Sequence, residues 1–260
     1  MVQILTSLAI LGGLGLLFGA ILGYASKVFA VERDERIDKI VGCLPGANCG
    51  GCGFAGCANF AQAVVNGDAK YSGCPVCNES QREQIAQVMG VSAEADEKKY
   101  AFVFCSGASG VAEEKYIYDG ISDCNAAARL GGGQKKCKYA CLGLGSCAKV
   151  CKFGAISIKN GVAVVDKEKC TACGMCIDAC PKHVIGLVAD KEQKIVACSS
   201  KDKGAAVTKA CRVGCIGCGL CVKECPVDAI KLENNLAVID EQKCINCGAC
   251  KTKCPRGIIL

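Results

Sequence analysis

The first two dozen positions of the chain are almost wholly apolar. Residues 2–25 read VQILTSLAILGGLGLLFGAILGYA, a run long enough to predict one membrane-crossing helix. Lys27, Arg33, Arg36 and Lys39 follow this run and no basic side chain precedes it. The positive-inside rule then sets the N-terminus outside and everything after Lys27 on the cytoplasmic side. Glu32, Asp34, Glu35 and Asp38 stand among those cations, but acidic residues count for little in that rule. Gly15, Gly19 and Gly23 recur every fourth residue, a stripe that lets a second membrane helix approach closely.

Beyond the run the pattern changes from one continuous face to short alternating pieces. Residues 32–42 are a charged, helical lead-in, and 58–69 predict a short helix ended by Asn66-Gly67. Residues 79–90 place Ile85, Val88 and Met89 on one helical side, with Gly90 as a stop. The polar stretch 91–99 reads as a linker, and 100–105 (YAFVFC) as a strand leading into a Ser/Gly-rich turn. From Cys151 to Cys254 the chain then repeats itself at an offset of 74 positions. AISIKNGVAVVDKEKC matches AIKLENNLAVIDEQKC without a gap, each alternating around an Asn-Gly or Asn-Asn pair, the signature of a tight hairpin. The expected architecture is α+β: a single N-terminal transmembrane helix (1–27), a small Fe–S domain (32–91) and a connecting segment (92–135). Tandem ferredoxin-like modules, 136–190 and 191–260, complete it.

Composition changes the picture most through cysteine, of which 260 residues contain 26. Disulfide scaffolds belong to short secreted chains, and cysteines in C-x2-C runs are too close together to staple distant loops. No basic n-region or small-residue cleavage site marks a removable signal peptide. Reduced, metal-ligating thiolates remain. The formal charge of +6 counts cysteines as neutral. Five [4Fe–4S] cubes with four thiolates each would add about −10 and leave a mildly acidic protein. The Lys and Arg residues are scattered, not striped, which gives a nucleic-acid role little support.

The spacing assigns the ligands. Cys215, Cys218, Cys221 and Cys225-Pro226 follow the bacterial ferredoxin run C-x2-C-x2-C-x3-C-P, and Cys244, Cys247, Cys250 and Cys254-Pro255 repeat it. Three thiolates of such a run wrap one cube and the fourth reaches its neighbour. A zinc ribbon uses paired C-x2-C units, not four cysteines per run. Crossing the fourth ligands gives Cys215, Cys218, Cys221 with Cys254, and Cys244, Cys247, Cys250 with Cys225. In the first module Cys170, Cys173 and Cys176 take Cys151. Its other run is irregular and lacks a counterpart of Cys218, so Cys137 is expected to join Cys141, Cys147 and Cys180. Near the N-terminus, Cys49, Cys52 and Cys57 (C-x2-C-x4-C) with Cys74 complete a fifth set.

Six cysteines are left over: Cys43, Cys77, Cys105, Cys124, Cys198 and Cys211. Cys105 and Cys198 share a context (VFCS, VACS) and read as repeat-related packing residues. The lone His183 reads as solvent-facing, because a Rieske centre needs two histidines. Gly131-Gly-Gly133 is followed by no GK[ST] and reads as a turn. There is no Rossmann fingerprint, no flavin-attachment motif and no acid/base pair, so no independent catalytic residue is expected. Electron transfer through about five [4Fe–4S] clusters is the expected chemistry. An Fe–S redox sensor or a subunit of another membrane oxidoreductase is the alternative, although a sensor has no need of five cubes in series.

The apolar N-terminus, Asn48-Cys49-Gly-Gly-Cys52-Gly-Phe-Ala-Gly-Cys57 and the later ferredoxin runs resemble the RnfB family of the Rnf (Rsx) electron transport complex over essentially the whole chain. Shorter members of that family carry one two-cube module where this chain has two. The resemblance implies a membrane complex that couples ferredoxin oxidation and NAD⁺ reduction, or the reverse, to Na⁺ or H⁺ translocation. It implies soluble ferredoxin and the other components of the complex as partners, at the cytoplasmic membrane.

Overall fold

The computed structural model describes residues 2–28, 34–92 and 97–260. Arg33 and Glu32 of the charged lead-in, and 93–96 of the polar stretch, lie outside them. Helix α1, Val2–Val28, covers the apolar run with 27 residues. Its Leu11, Leu16, Phe18 and Leu22 are exposed, and open space surrounds Gly15, Gly19 and Gly23. Residues 11–25, whose side chains are described, extend about 22 Å at 1.5 Å per residue, short of a hydrocarbon core of roughly 30 Å. Among the described residues, no helix is long and apolar enough to cross a membrane.

Three helices make the small domain. These are α2 (Glu35–Cys43), α3 (Cys57–Asn66) and α4 (Glu79–Met89). Asp34 caps α2 through the Arg36 N–H, and Asn78 and Gln81 form a capping box on α4. Gly67 and Gly90 stop α3 and α4 in the left-handed region, as the sequence pattern expects. The helices close on Ile40, Phe60, Val64 and Ile85, and burying each such side chain is worth about 1.5–3 kcal/mol.

The remainder is two copies of one ferredoxin-like plan. The first contains β1 (Lys99–Val103), α5 (Cys124–Arg129), α6 (Ser146–Val150), β2 (Ile156–Lys159), β3 (Val162–Val165), α7 (Met175–Asp178) and β4 (Ile185–Ala189). The second contains α8 (Gly204–Ala210), α9 (Leu220–Lys223), β5 (Ile230–Glu233), β6 (Leu236–Ile239) and α10 (Ala249–Lys253). The hairpins β2–β3 and β5–β6 have the expected register. Asn160 and Gly161 turn the first at φ 48° and 70°, Asn234 and Asn235 the second at 49° and 63°, the left-handed pairs that such turns require.

Of segment 92–135, expected only to connect, the part from Lys99 onward is built into the first module. Strand β1 pairs antiparallel with β4, Val103 opposite Ile185, and the Phe104 N–H continues the ladder to the Val184 carbonyl. The second module repeats this join in miniature: Val196 bridges Ile259 and the Ala197 N–H reaches the Ile258 carbonyl. In each unit a cysteine follows this pairing directly, Cys105 after Phe104 in one and Cys198 after Ala197 in the other. Cys105 and Cys137 are 32 positions apart, Cys198 and Cys211 only 13, so the first unit carries 19 extra residues, with α5 among them.

Candidate metal centres

The first set sits where the small domain meets its cysteine loop. Cys49, Cys52, Cys57 and Cys74 line one cavity of about 290 Å³. Asn48, at φ 44°, accepts the Cys57 N–H on Oδ1 at 2.8 Å and so fixes the loop on the start of α3. A hydrogen bond from the Cys77 thiol, with backbone N–H groups and Arg82 assisting against burial, holds the Cys74 thiol down at about 6. Cys77 is pushed up by the same bond.

In the second module Cys215, Cys218, Cys221 and Cys254 line one cavity of about 360 Å³, the grouping that a crossing fourth ligand would use. Cys250 faces Cys244 and Cys247, and Cys225 packs on the same apolar cluster as Cys250. The Ala229 N–H points at the Cys225 sulfur at 3.3 Å. In the first module Cys151, Cys170, Cys173 and Cys176 line a cavity of about 320 Å³. The Ala155 N–H points at Cys151 (3.4 Å) and the Ala101 N–H at Cys170 (3.3 Å). Burial, then the neighbouring thiols, pushes Cys176 and Cys221 up to about 11. Such crowding of thiols is relieved when a metal takes their protons.

Cluster loops are pressed onto the hairpin turns. A Cβ on Gly143 (φ 72°) would lie 2.3 Å from the Gly161 carbonyl oxygen, and one on Gly217 (φ 65°) 2.7 Å from that of Asn235. These two glycines, 74 positions apart, admit no side chain.

The irregular run departs from its expected partners. Cys147 is pushed up to about 12 by burial and by the thiols of Cys141, Cys124, Cys180 and Cys176. Cys124 opens α5 on the 19-residue insertion and packs with Leu142 and Leu144. Leu144 occupies the register of Cys218. The insertion is tied down beside it: Ser146 Oγ accepts the Cys124 N–H at 2.7 Å and donates to Asp123 at 2.8 Å. Cys137 is placed elsewhere, on a cavity shared with Cys105, Cys198 and Cys211. The physical reason is the backbone bridge Ala112–Cys211 and the Glu113–Lys136 hydrogen bond, which turn the segment before Cys137 toward the second module. Of the other readings, His183 is exposed, and Gly131–Gly133 form a turn against Leu142.

Among the described residues, no three His, Cys, Asp or Glu side chains converge on a single metal ion. Sets of four thiols are the donors that a [4Fe–4S] cube takes. Family comparison agrees. Residues 163–186 match a 4Fe-4S binding domain family, residues 214–258 a 4Fe-4S dicluster domain family, and residues 44–76 an Fe-S cluster family. The chain binds multiple [4Fe–4S] clusters.

The B subunit of the Na(+)-translocating ferredoxin:NAD(+) oxidoreductase complex of Acetobacterium woodii is 46% identical over 92% of this chain and 72% of its own length. The chain belongs to the RnfB family. The B subunit of an ion-translocating oxidoreductase complex from Methanosarcina acetivorans is 45% identical over 92% of this chain and 91% of its own. The B subunit of the proton-translocating ferredoxin:NAD(+) oxidoreductase complex of Clostridium ljungdahlii is 46% identical over 88% and 81%. The B subunit of an ion-translocating oxidoreductase complex from Shewanella loihica is 41% identical over 40% of this chain and 58% of its own length.

Proposed function

We propose that the chain is the iron–sulfur electron-transfer subunit of a membrane complex that couples ferredoxin and NAD⁺ to ion translocation. The observation that carries this reading is the continuity of the thiol sets. Gly51, between Cys49 and Cys52, lies so close to Cys173 that a Cβ there would stand 2.6 Å from its carbonyl oxygen. Lys152 Nζ also donates to the Asn48 carbonyl at 3.2 Å. The first set therefore abuts the Cys151, Cys170, Cys173 and Cys176 set, which shares its module with Cys141, Cys147 and Cys180. For that last set Cys124 supplies the fourth thiol. When bound, the cubes supply one-electron hopping. The protein supplies ligation, N–H donors to sulfur and burial, which tune the potentials.

Helix α1 anchors the chain: its 27 residues reach about 40 Å at 1.5 Å each, and its exposed leucines meet lipid and partner helices. Sets after Lys27 lie on the cytoplasmic side, where soluble ferredoxin reaches the C-terminal module. The Cys49 set is tethered nearest the bilayer and passes electrons to the membrane subunits. Relatives of equal identity are named for Na⁺ and for protons, and we read the choice of ion as a property of other subunits.

The test is Cys52→Ala in the full chain, measured two ways. Purified in detergent, the variant still accepts electrons from reduced ferredoxin, because the C-terminal sets are intact. Assembled in the complex, it loses ferredoxin-dependent NAD⁺ reduction. Substantial turnover by a complex verified to lack the Cys49 cube overturns the route.

A further inference from the structure

We propose that Cys105, Cys137, Cys198 and Cys211 hold an additional [4Fe–4S] cube between the two ferredoxin-like modules. The four thiols line one cavity, as the motif-defined sets line theirs. Their arrangement repeats across the boundary. Cys137 and Cys211 stand 74 positions apart, the offset of the whole repeat, and each precedes its module's first motif cysteine by four residues. Cys105 and Cys198 each follow the residue whose N–H makes the equivalent bond, Phe104 to the Val184 carbonyl and Ala197 to that of Ile258.

The hydrogen bonding of the sulfurs is duplicated too. Cys105 accepts the N–H groups of Gly107 (3.4 Å) and Cys141 (3.3 Å). Cys198 accepts those of Ser200 (3.5 Å) and Cys215 (3.4 Å). Two N–H donors at a sulfur suit a thiolate in a cluster, where such bonds tune the potential; a packing thiol has no use for them. The strands are clasped reciprocally: Ser199 Oγ donates to the Phe104 carbonyl at 2.8 Å and Ser106 Oγ to that of Ala197 at 3.4 Å.

A second, independent feature is Lys135, 1% exposed. Its ammonium donates to the carbonyls of Gly107 (2.7 Å) and Gly161 (2.9 Å), and among the described residues it forms no ion pair with a carboxylate. A buried cation without an anion is costly. It acts on both Cys105 and Cys141, so an anionic cube on each side provides the counter-charge. Zinc is a poor occupant, since Zn–S bonds of about 2.3 Å would need the sulfurs within about 4 Å of one another.

The additional site joins the modules. Cys141 and Cys215, whose N–H groups reach its sulfurs, are each the first ligand of a flanking set. The inference rests on reading the chain as a [4Fe–4S] carrier, but its test counts iron and does not depend on turnover by the complex.

The experiment is iron, sulfide and zinc analysis of the full chain purified and reconstituted anaerobically, with Mössbauer spectra to confirm cubes. The expected content is about 24 Fe per chain by cube stoichiometry, falling to about 20 in Cys105→Ser/Cys198→Ser and staying at about 24 in Cys43→Ala. Saturation of the wild type near 20 Fe, with or without one zinc, overturns the proposal. So does a double variant that keeps all its iron. Should the double variant lose far more than four irons, Cys211→Ser is analysed in its place: loss of one cube supports the site and full retention overturns it.

Discussion

In the second module Cys218 sits between Cys215 and Cys221, and every cysteine of that loop comes from eleven consecutive residues. At the same register the first module has Leu144, and Cys124, on α5 of an insertion, packs beside it; we propose it as the replacement thiol. The hairpin and the spacing of the cysteine run that follows it are otherwise shared. The comparison teaches that a cube site is specified by where sulfurs end up, not by the run that usually delivers them. The insertion also docks through Asp123, whose carboxyl is held below its usual range by the N–H groups of Ala126 and Asn125 and by Ser146.

The largest way to break the comparison is to remove the imported thiol. Cys124→Ala is expected to lose one cube, about four irons per chain, while the equivalent region of the second module is untouched. Adding Leu144→Cys to that variant rebuilds the regular run and should restore the iron. Iron analysis of the single and double variants checks both, and failure of Leu144→Cys to rescue would mean the two loops differ in more than a ligand.

A smaller effect sharpens the contrast in electrostatics. Lys135 is buried, whereas Lys209, its counterpart 74 positions on, is exposed. Lys135→Met should keep the iron and lower the reduction potential of the cubes beside it, because removing a nearby positive charge disfavours the added electron. Lys209→Met should shift potentials less, since water screens it. EPR-monitored redox titration of the two variants decides this, and equal shifts would remove Lys135 from the account.

Features legible in sequence were those with short local spacing. The Asn-Gly and Asn-Asn hairpins, the stops at Gly67 and Gly90, and the regular runs at 170–176, 215–225 and 244–254 each carry their geometry in a dozen residues or fewer. The approach of Cys124 to Cys147 was not legible, because a thiol reaching back from an insertion has no fixed spacing to its neighbours. Strand β1 was recognised as a strand but not as part of the first module, since its partner β4 lies more than eighty residues away. Two signals pointed toward the boundary cavity. One was the shared VFCS and VACS contexts, the other the 74-position offset between Cys137 and Cys211. Only folding shows that those pairs meet, as four thiols from two modules.

The most direct test of the account is the location of iron itself, by anomalous scattering or a density map of the assembled complex. The account expects six cubes. One is held by Cys124, Cys141, Cys147 and Cys180, and one lies between Cys105, Cys137, Cys198 and Cys211. Five cubes, with Cys137 bound alongside Cys141, Cys147 and Cys180 and nothing between the modules, would contradict it.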